Sequence, residues 1–198
     1  MPGESQHVVG EDGVRRAKKW LDSTTRVSQS WTIYDDIPVS RLEYSWPFGD
    51  QKFSYDLGGL LFGGEFHQEG FLVESKKYSW DSQGEPFDKF LAQSYVTLRD
   101  SPALAQHFMW ITWTPFRIKT WNANTNAASV AKALIANGER VFDSTDPDVI
   151  TSKTDANIVN DLVSRLWVIV LSDRQESLVI SKEDRAYLMQ KRYLDEEL

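Results

Sequence analysis

Glu74 and Lys76 stand two residues apart in the segment F-L-V-E-S-K-K-Y, residues 71–78. In an extended chain, side chains two apart share a face, so Glu74 and Lys76 point one way while Val73, Ser75 and Lys77 point the other. Upstream, F-S-Y-D-L-G-G-L-L-F, residues 53–62, sets Asp56 among apolar neighbours. If the two stretches pair as a hairpin, Asp56 falls near Glu74. Two carboxylates and a lysine on adjacent strands suit Mg²⁺ or Mn²⁺, because hard cations take oxygen ligands and keep several waters. The lysine then orients or deprotonates an attacking water and steadies charge on a phosphate.

An acid-x-lysine tripeptide is cheap, since composition alone predicts about 1.6 in a chain of this make-up. This chain has two, and the second, Asp50-Gln51-Lys52, follows the turn signal of Pro47 and Gly49. A turn does not hold two side chains in fixed register as a strand does. The weight therefore falls on context: an apolar run into Glu74, an upstream strand Asp and a helix afterwards.

The elements that must supply this context read as follows. Apolar residues at 14, 17, 20 and 21 give helical spacing over 11–21, with Arg15, Arg16, Lys18 and Lys19 on the wetter side. Residues 22–30 are mostly polar, residues 31–46 read as extended structure interrupted at Pro38, and a strand is expected at 39–46. A further strand over 52–62 leads into Gly63-Gly64 and pairs with one at 71–78 as a long-tipped hairpin. A helix is expected over 86–98, with Pro near its start, and a strand over 107–114, stopped by Pro115. Then come a helix at 127–137 ended by Gly138, a turn-rich stretch at 143–154, a strand at 166–171 and a helix at 182–193. This is an α/β layered chain.

At 198 residues the chain is expected to form one domain, 1–198, with a core over about 11–114 and a C-terminal elaboration over about 115–198. There is no Cys, which excludes disulfides, thiolate zinc sites and a cysteine nucleophile. No apolar run approaches a membrane span, and M-P-G-E-S-Q-H does not read as a secretion signal, so a cytoplasmic address is expected. The net charge of −7 argues against a nucleic-acid coat protein but not against a nuclease, whose metal-holding carboxylates count as negative.

With this context the chain resembles the PD-(D/E)XK nuclease superfamily, whose core is a helix, three strands, a helix and a strand. The resemblance covers roughly residues 11–114. It implies a restriction-endonuclease-like fold with a mixed central sheet flanked by helices. It also implies a metal site of Asp56, Glu74 and the main chain of Ser75, with Lys76 acting on water. Many members add a Gln on the following helix, which maps onto Gln93 in F-D-K-F-L-A-Q-S-Y, and some place a Glu on the first helix, which maps onto Glu11. The resemblance implies that both support the phosphate, the water or a second metal, Glu11 as a metal ligand. Tyr55 rather than Pro precedes Asp56, and Tyr95 lies two residues after Gln93 instead of four, so no subfamily is assigned. The implied activity is Mg²⁺- or Mn²⁺-dependent hydrolysis of nucleic acid, DNA above all, in restriction, repair or phage defence. The implied partners are a second copy of the chain or an ATPase or helicase.

Two other readings stand beside it. A non-catalytic interaction subunit could keep the nuclease fold, which suits the acidic charge and many aromatics. A carbohydrate-binding or glycoside-cleaving protein could use Trp platforms and paired acids, although the one prominent acid pair is already coupled to lysine. Asp50 and Glu65 are reserve acids. His7, His67 and His107 have no metal spacing. The basic residues 15–19 are either a solvated face or a phosphate track.

Overall fold

The computed structural model describes residues 2–35, 41–77 and 83–195. A long helix α1 (Pro2–Ser23) leads into β1 (Val27–Thr32). Two short strands, β2 (Glu43–Ser45) and β3 (Lys52–Ser54), pair only with each other, and then come β4 (Leu57–Leu61) and β5 (Gly70–Lys76). Helix α2 (Gly84–Asp100) connects β5 to β6 (His107–Thr112). Four helices, α3 (Ala127–Ala136), α4 (Gly138–Phe142), α5 (Pro147–Lys153) and α6 (Ala156–Arg165), precede β7 (Leu166–Val170), and α7 (Asp173–Glu176) and α8 (Lys182–Asp195) follow it.

The central sheet has five strands in the order β1-β4-β5-β6-β7. The pairs β1–β4 and β4–β5 are antiparallel, while β5–β6 and β6–β7 are parallel, so the sheet is mixed. Each parallel pair needs a crossover, supplied by α2 in one case and by α3–α6 in the other.

Strand alternation divides the core in two. Phe71 and Val73 of β5, with Met109 and Ile111 of β6, pack under Val14, Ala17 and Leu21 of α1. Leu72 of β5, with Phe108 and Trp110 of β6, packs under Phe87, Phe90 and Leu91 of α2. This parity fixes the site, because Glu74 and Lys76 continue the Leu72 face and Ser75 and Lys77 the Val73 face. Gly59 of β4 lets the sheet close: a Cβ there would lie 2.3 Å from the Gln29 carbonyl oxygen and 2.5 Å from the Phe71 ring.

The hairpin with a long tip is present, β4 and β5 enclosing a short 3₁₀ turn at Gly64–Phe66. Four expectations differ. The strand expected over 52–62 is two strands, because the Tyr55 N–H bonds the Leu42 carbonyl while the Asp56 N–H bonds the Val73 carbonyl. The chain changes sheets between those two residues. The strand expected at 39–46 is only β2 in the small sheet, residues 39–40 of that expectation lying outside the described residues, as does residue 78 of the 71–78 strand. The first strand of the central sheet is instead β1, of which 27–30 lie in the stretch read as polar and 31–32 in the stretch read as extended. The region 143–154 holds the helix α5, with Asp146 capping it and Pro147 in its first turn. Among the described residues, no helix is long and apolar enough to cross a membrane.

Candidate active site

Asp56 immediately precedes β4 and its Oδ2 accepts a hydrogen bond of 2.8 Å from the Ser75 N–H. Lys76 reaches back along β5, with Nζ 2.5 Å from Glu74 Oε1 and 3.7 Å from Asp56 Oδ2. The antiparallel register, Leu57 opposite Val73, brings the three together. Lys76 thus stands between two carboxylates, one from each strand.

The second oxygen of Glu74, Oε2, is buried with no hydrogen-bond partner. Burial pushes the Glu74 carboxyl up to about 7; the Asp56 carboxylate pushes the same way, and Lys76 opposes both. An acid held this far from its ordinary range at the bottom of a cleft marks a functional candidate. The Ser75 hydroxyl plays no part in the cleft. It is buried on the α1 side, 3.6 Å from where a Gly13 Cβ would be, and Lys77 on that face pairs with Asp12 at 2.6 Å. Ser75 contributes through its main chain, whose N–H and C=O leave the strand on the edge that faces Asp56.

The residues fit a divalent cation: two carboxylates from neighbouring strands, an orphaned buried carboxylate oxygen and a main-chain carbonyl on the same edge are hard oxygen donors. Among the described residues no group of three or more His, Cys, Asp or Glu side chains is placed to hold a metal. Waters and substrate oxygens would complete such a shell, as Mg²⁺ commonly has it.

Glu74 and Lys76 form the floor of a cleft of about 1090 Å³. One wall is the stripe Glu85, Lys89 and Gln93 of α2, spaced by four and so on one face. Gln93 is 5% exposed and has no hydrogen-bond partner among the described residues. A second wall is Lys52–Ser54, the whole of β3, and a third comes from Lys132, Ala136, Asn137 and Arg140. Six cations line the cleft, namely Lys52, Lys76, Lys89, Arg117, Lys132 and Arg140, against the three acids Glu74, Glu85 and Asp88. In a chain of net charge −7 this is a local reversal of sign. Asp88 holds part of it in place, its Oδ2 2.7 Å from Arg117 and 3.9 Å from Lys132.

Glu11 lies at a distance from the cleft floor. It bonds Arg15 at 2.7 Å, and it reaches the Asp56 side through Tyr34, whose phenol is pushed up by burial and then by the Asp56 and Glu11 charges. Tyr34 had no sequence signal, yet the backbone bond from Ile33 N–H to the Asp56 carbonyl fixes it beside that strand end. The twin tripeptide is split: Lys52 lines the cleft and pairs with Glu43 at 2.5 Å, whereas Asp50 is not among its lining residues. Of the basic residues on α1, Arg16 binds Glu176 and Asp173 and Lys18 binds Asp22, so neither presents a bare charge. His107 is buried between Glu69 and Trp167, and His67 accepts from the Gly63 N–H in the hairpin tip. Glu65 lines an apolar pocket on the α1 side, away from the cleft, and the side chain of His7 lies outside the described residues.

The cleft cations were not legible beforehand because they come from separate elements with no common spacing. No protein-family model, no curated protein and no solved structure matches the chain.

Proposed function

We propose that the chain is a metal-dependent nuclease that hydrolyses phosphodiester bonds of nucleic acid, with DNA as its substrate, on a restriction-endonuclease-like core of the PD-(D/E)XK kind. The observation that carries the reading is Lys76 held between Asp56 and Glu74, with Lys76 and Glu74 lining a cleft in which cations outnumber acids and Asp56 lying behind that lining. The antiparallel, antiparallel, parallel sequence of strands β1, β4, β5 and β6, with α1 before and α2 before the last, supports the fold assignment.

Asp56, Glu74 and the Ser75 carbonyl would hold Mg²⁺ or Mn²⁺. When bound, such an ion polarises a phosphate oxygen and acidifies a water. Lys76 orients the attacking water and sets positive charge against the phosphate oxygens. The water oxygen bonds to phosphorus as the bond to the leaving sugar oxygen breaks, the water giving up a proton to solvent and the leaving oxygen taking one from it. Gln93, buried and unpartnered, has an amide free to hydrogen-bond that water or a non-bridging oxygen. Glu11 acts at most through Tyr34, on the outer side of Asp56. The proposed settings are restriction, repair or phage defence inside the cytoplasm, in a homodimer or beside an ATPase or helicase.

A second reading keeps the fold without the chemistry, as an interaction subunit. Helix α8 favours it, since Tyr187 and Leu194 are 68% and 77% exposed and no residue of the helix is buried. Incubating the purified protein with plasmid, linear and single-stranded DNA, with Mg²⁺, with Mn²⁺ and with chelator, separates the two. Metal-dependent cleavage that disappears in Lys76→Ala supports the nuclease; no cleavage of any DNA under any metal leaves the interaction subunit.

A further inference from the structure

We infer that the cleft takes a single nucleic-acid strand laid along α2, so that the substrate is single-stranded, or has a strand end or flap, rather than being continuous duplex. The inference rests on the nuclease reading and narrows its substrate.

The first ground is size. A volume of about 1090 Å³ is that of a cube roughly 10 Å on edge, and a duplex, with a persistence length of about 50 nm, is a stiff rod that does not bend into a recess of that size. The reacting groups lie at the bottom: the Glu74 and Lys76 side chains are only 14% and 23% exposed. Walls rise on three sides, from α2, from β3 and from α3 with Arg140 of α4. A phosphate inside an intact duplex would meet these walls before it met Lys76. A separated strand would not.

The second ground is the track. Gln93, Lys89 and Glu85 are four residues apart, which on a helix is a step of about 6 Å each. Gln93, 5% exposed, lines the same cleft as Glu74 and Lys76, and its side chain makes no hydrogen bond among the described residues. Lys89 comes one step nearer the mouth. One step further, at the start of α2, Arg117 donates to the Gly84 carbonyl at 2.9 Å and to Asp88 at 2.7 Å, with Lys132 on the same carboxylate oxygen at 3.9 Å. Cations therefore recur along one helix face at Lys76, at Lys89 and at the Arg117–Lys132 pair, a line suited to successive phosphates of one backbone. Arg140, stacked on the Trp46 ring at 5.8 Å, and Lys52 close the opposite side.

The test uses the full chain in chelator, so that binding is read without cleavage. A fluorescent twelve-residue oligothymidine and a twelve-base-pair duplex closed by hairpin loops are titrated at several salt concentrations, and oligouridine forms a third arm. The single strand is expected to bind at least about tenfold tighter than the closed duplex. Lys89→Gln and Lys132→Gln, both at exposed side chains, are each expected to reduce the salt slope of single-strand binding by about 0.7, the value for one phosphate contact on a single strand. Lys19→Gln, on the exposed side of α1, is expected to leave it unchanged. Oligouridine binding equal to oligothymidine supports a backbone track, and binding of oligouridine alone keeps the single strand and makes the substrate RNA. Duplex binding as tight as the single strand, or unchanged slopes in both lysine variants, overturns the inference. Cleavage of closed plasmid with Mg²⁺ as fast as single-stranded DNA also overturns it while leaving the nuclease reading intact, whereas absence of both binding and cleavage removes that reading as well.

Discussion

Nζ of Lys76 lies 2.5 Å from one oxygen of Glu74, and the other oxygen of the same carboxylate is buried with no partner. One half of the carboxylate is satisfied and the other is held out of water at a cost on the order of 1–3 kcal/mol or more. A structural ion pair would use both oxygens or leave the spare one in solvent. The half-satisfied arrangement suits a group that gains a ligand.

Lys76→Ala should lower cleavage by at least about 10²-fold, the low end for a positioned acid–base group. Lys77→Ala should change it less than about threefold, because Lys77 pairs with Asp12 on the α1 face and an exposed pair of that kind is worth at most about 1 kcal/mol. Steady-state rates on one oligonucleotide compare them; equal losses would place the chemistry on the wrong face of β5.

The pH dependence of stability should carry the mark of Glu74. Folded, this carboxyl keeps its proton up to about pH 7; unfolded, it loses it near 4.5. Between those values the native state binds more protons, so metal-free stability falls as pH rises through that window, by up to about 3 kcal/mol from this group. Glu74→Gln has no such group and should show a flatter profile, with stability at pH 8 equal to or above that of the parent. Urea unfolding at pH 5 and pH 8 reads both. A variant weakened equally at the two pH values would instead make the contact with Lys76 structural.

Added Mg²⁺ or Mn²⁺ should raise the melting temperature of the parent protein and not that of Glu74→Gln, because a ligand stabilises only the state that binds it. Excess chelator should abolish cleavage. An equal metal response in parent and variant would remove Glu74 from the metal site.

Asp50→Ala should leave cleavage within about twofold, since Asp50 does not line the cleft and surface changes away from such features are nearly neutral. Lys52→Ala, at the first position of β3 and lining the cleft, should raise KM while leaving kcat largely unchanged, as loss of uniform binding does. The reverse ranking would move the acidic site to the turn.

Gly59→Ala should destabilise the fold by about 2 kcal/mol or more, because the new methyl meets the Gln29 carbonyl at 2.3 Å and the Phe71 ring at 2.5 Å, both fixed inside the sheet. Thermal melting checks it.

The acid–lysine pair was legible because two-residue alternation in one strand is a local property: the faces of Leu72, Glu74 and Lys76 follow from the sequence of β5 alone. The meeting with Asp56 required only that consecutive strands pair. Strand β1 was not legible. Its sequence V-S-Q-S-W-T buries only Val27 and Thr32, and as an edge strand it shows no alternation to read. The break between β3 and β4 was hidden because Tyr55, fully buried against Thr97, keeps the apolar run continuous where the chain changes sheets. The helix α6 had a readable start in Asp155, whose carboxylate caps Asn157 and Ile158, but its polar surroundings masked it.

The wall that bears Lys132 and Arg140 belongs to the long crossover from β6 to β7, while Asp56, Glu74 and Lys76 are all in place by the end of β5. Part of the cationic lining is thus written in the second half of the chain and faces Glu74 and Lys76 across an open space, while Lys52 and Lys89 come from the first half. The crossover is tied to the core by Val130, Ala133, Leu134, Val141 and Phe142, all buried in the cluster under α2, so only its cleft-facing positions are free to vary. Exchange of Lys132, Ala136 and Arg140 would therefore change the charge and shape of that wall without touching the strands that carry Asp56, Glu74 and Lys76.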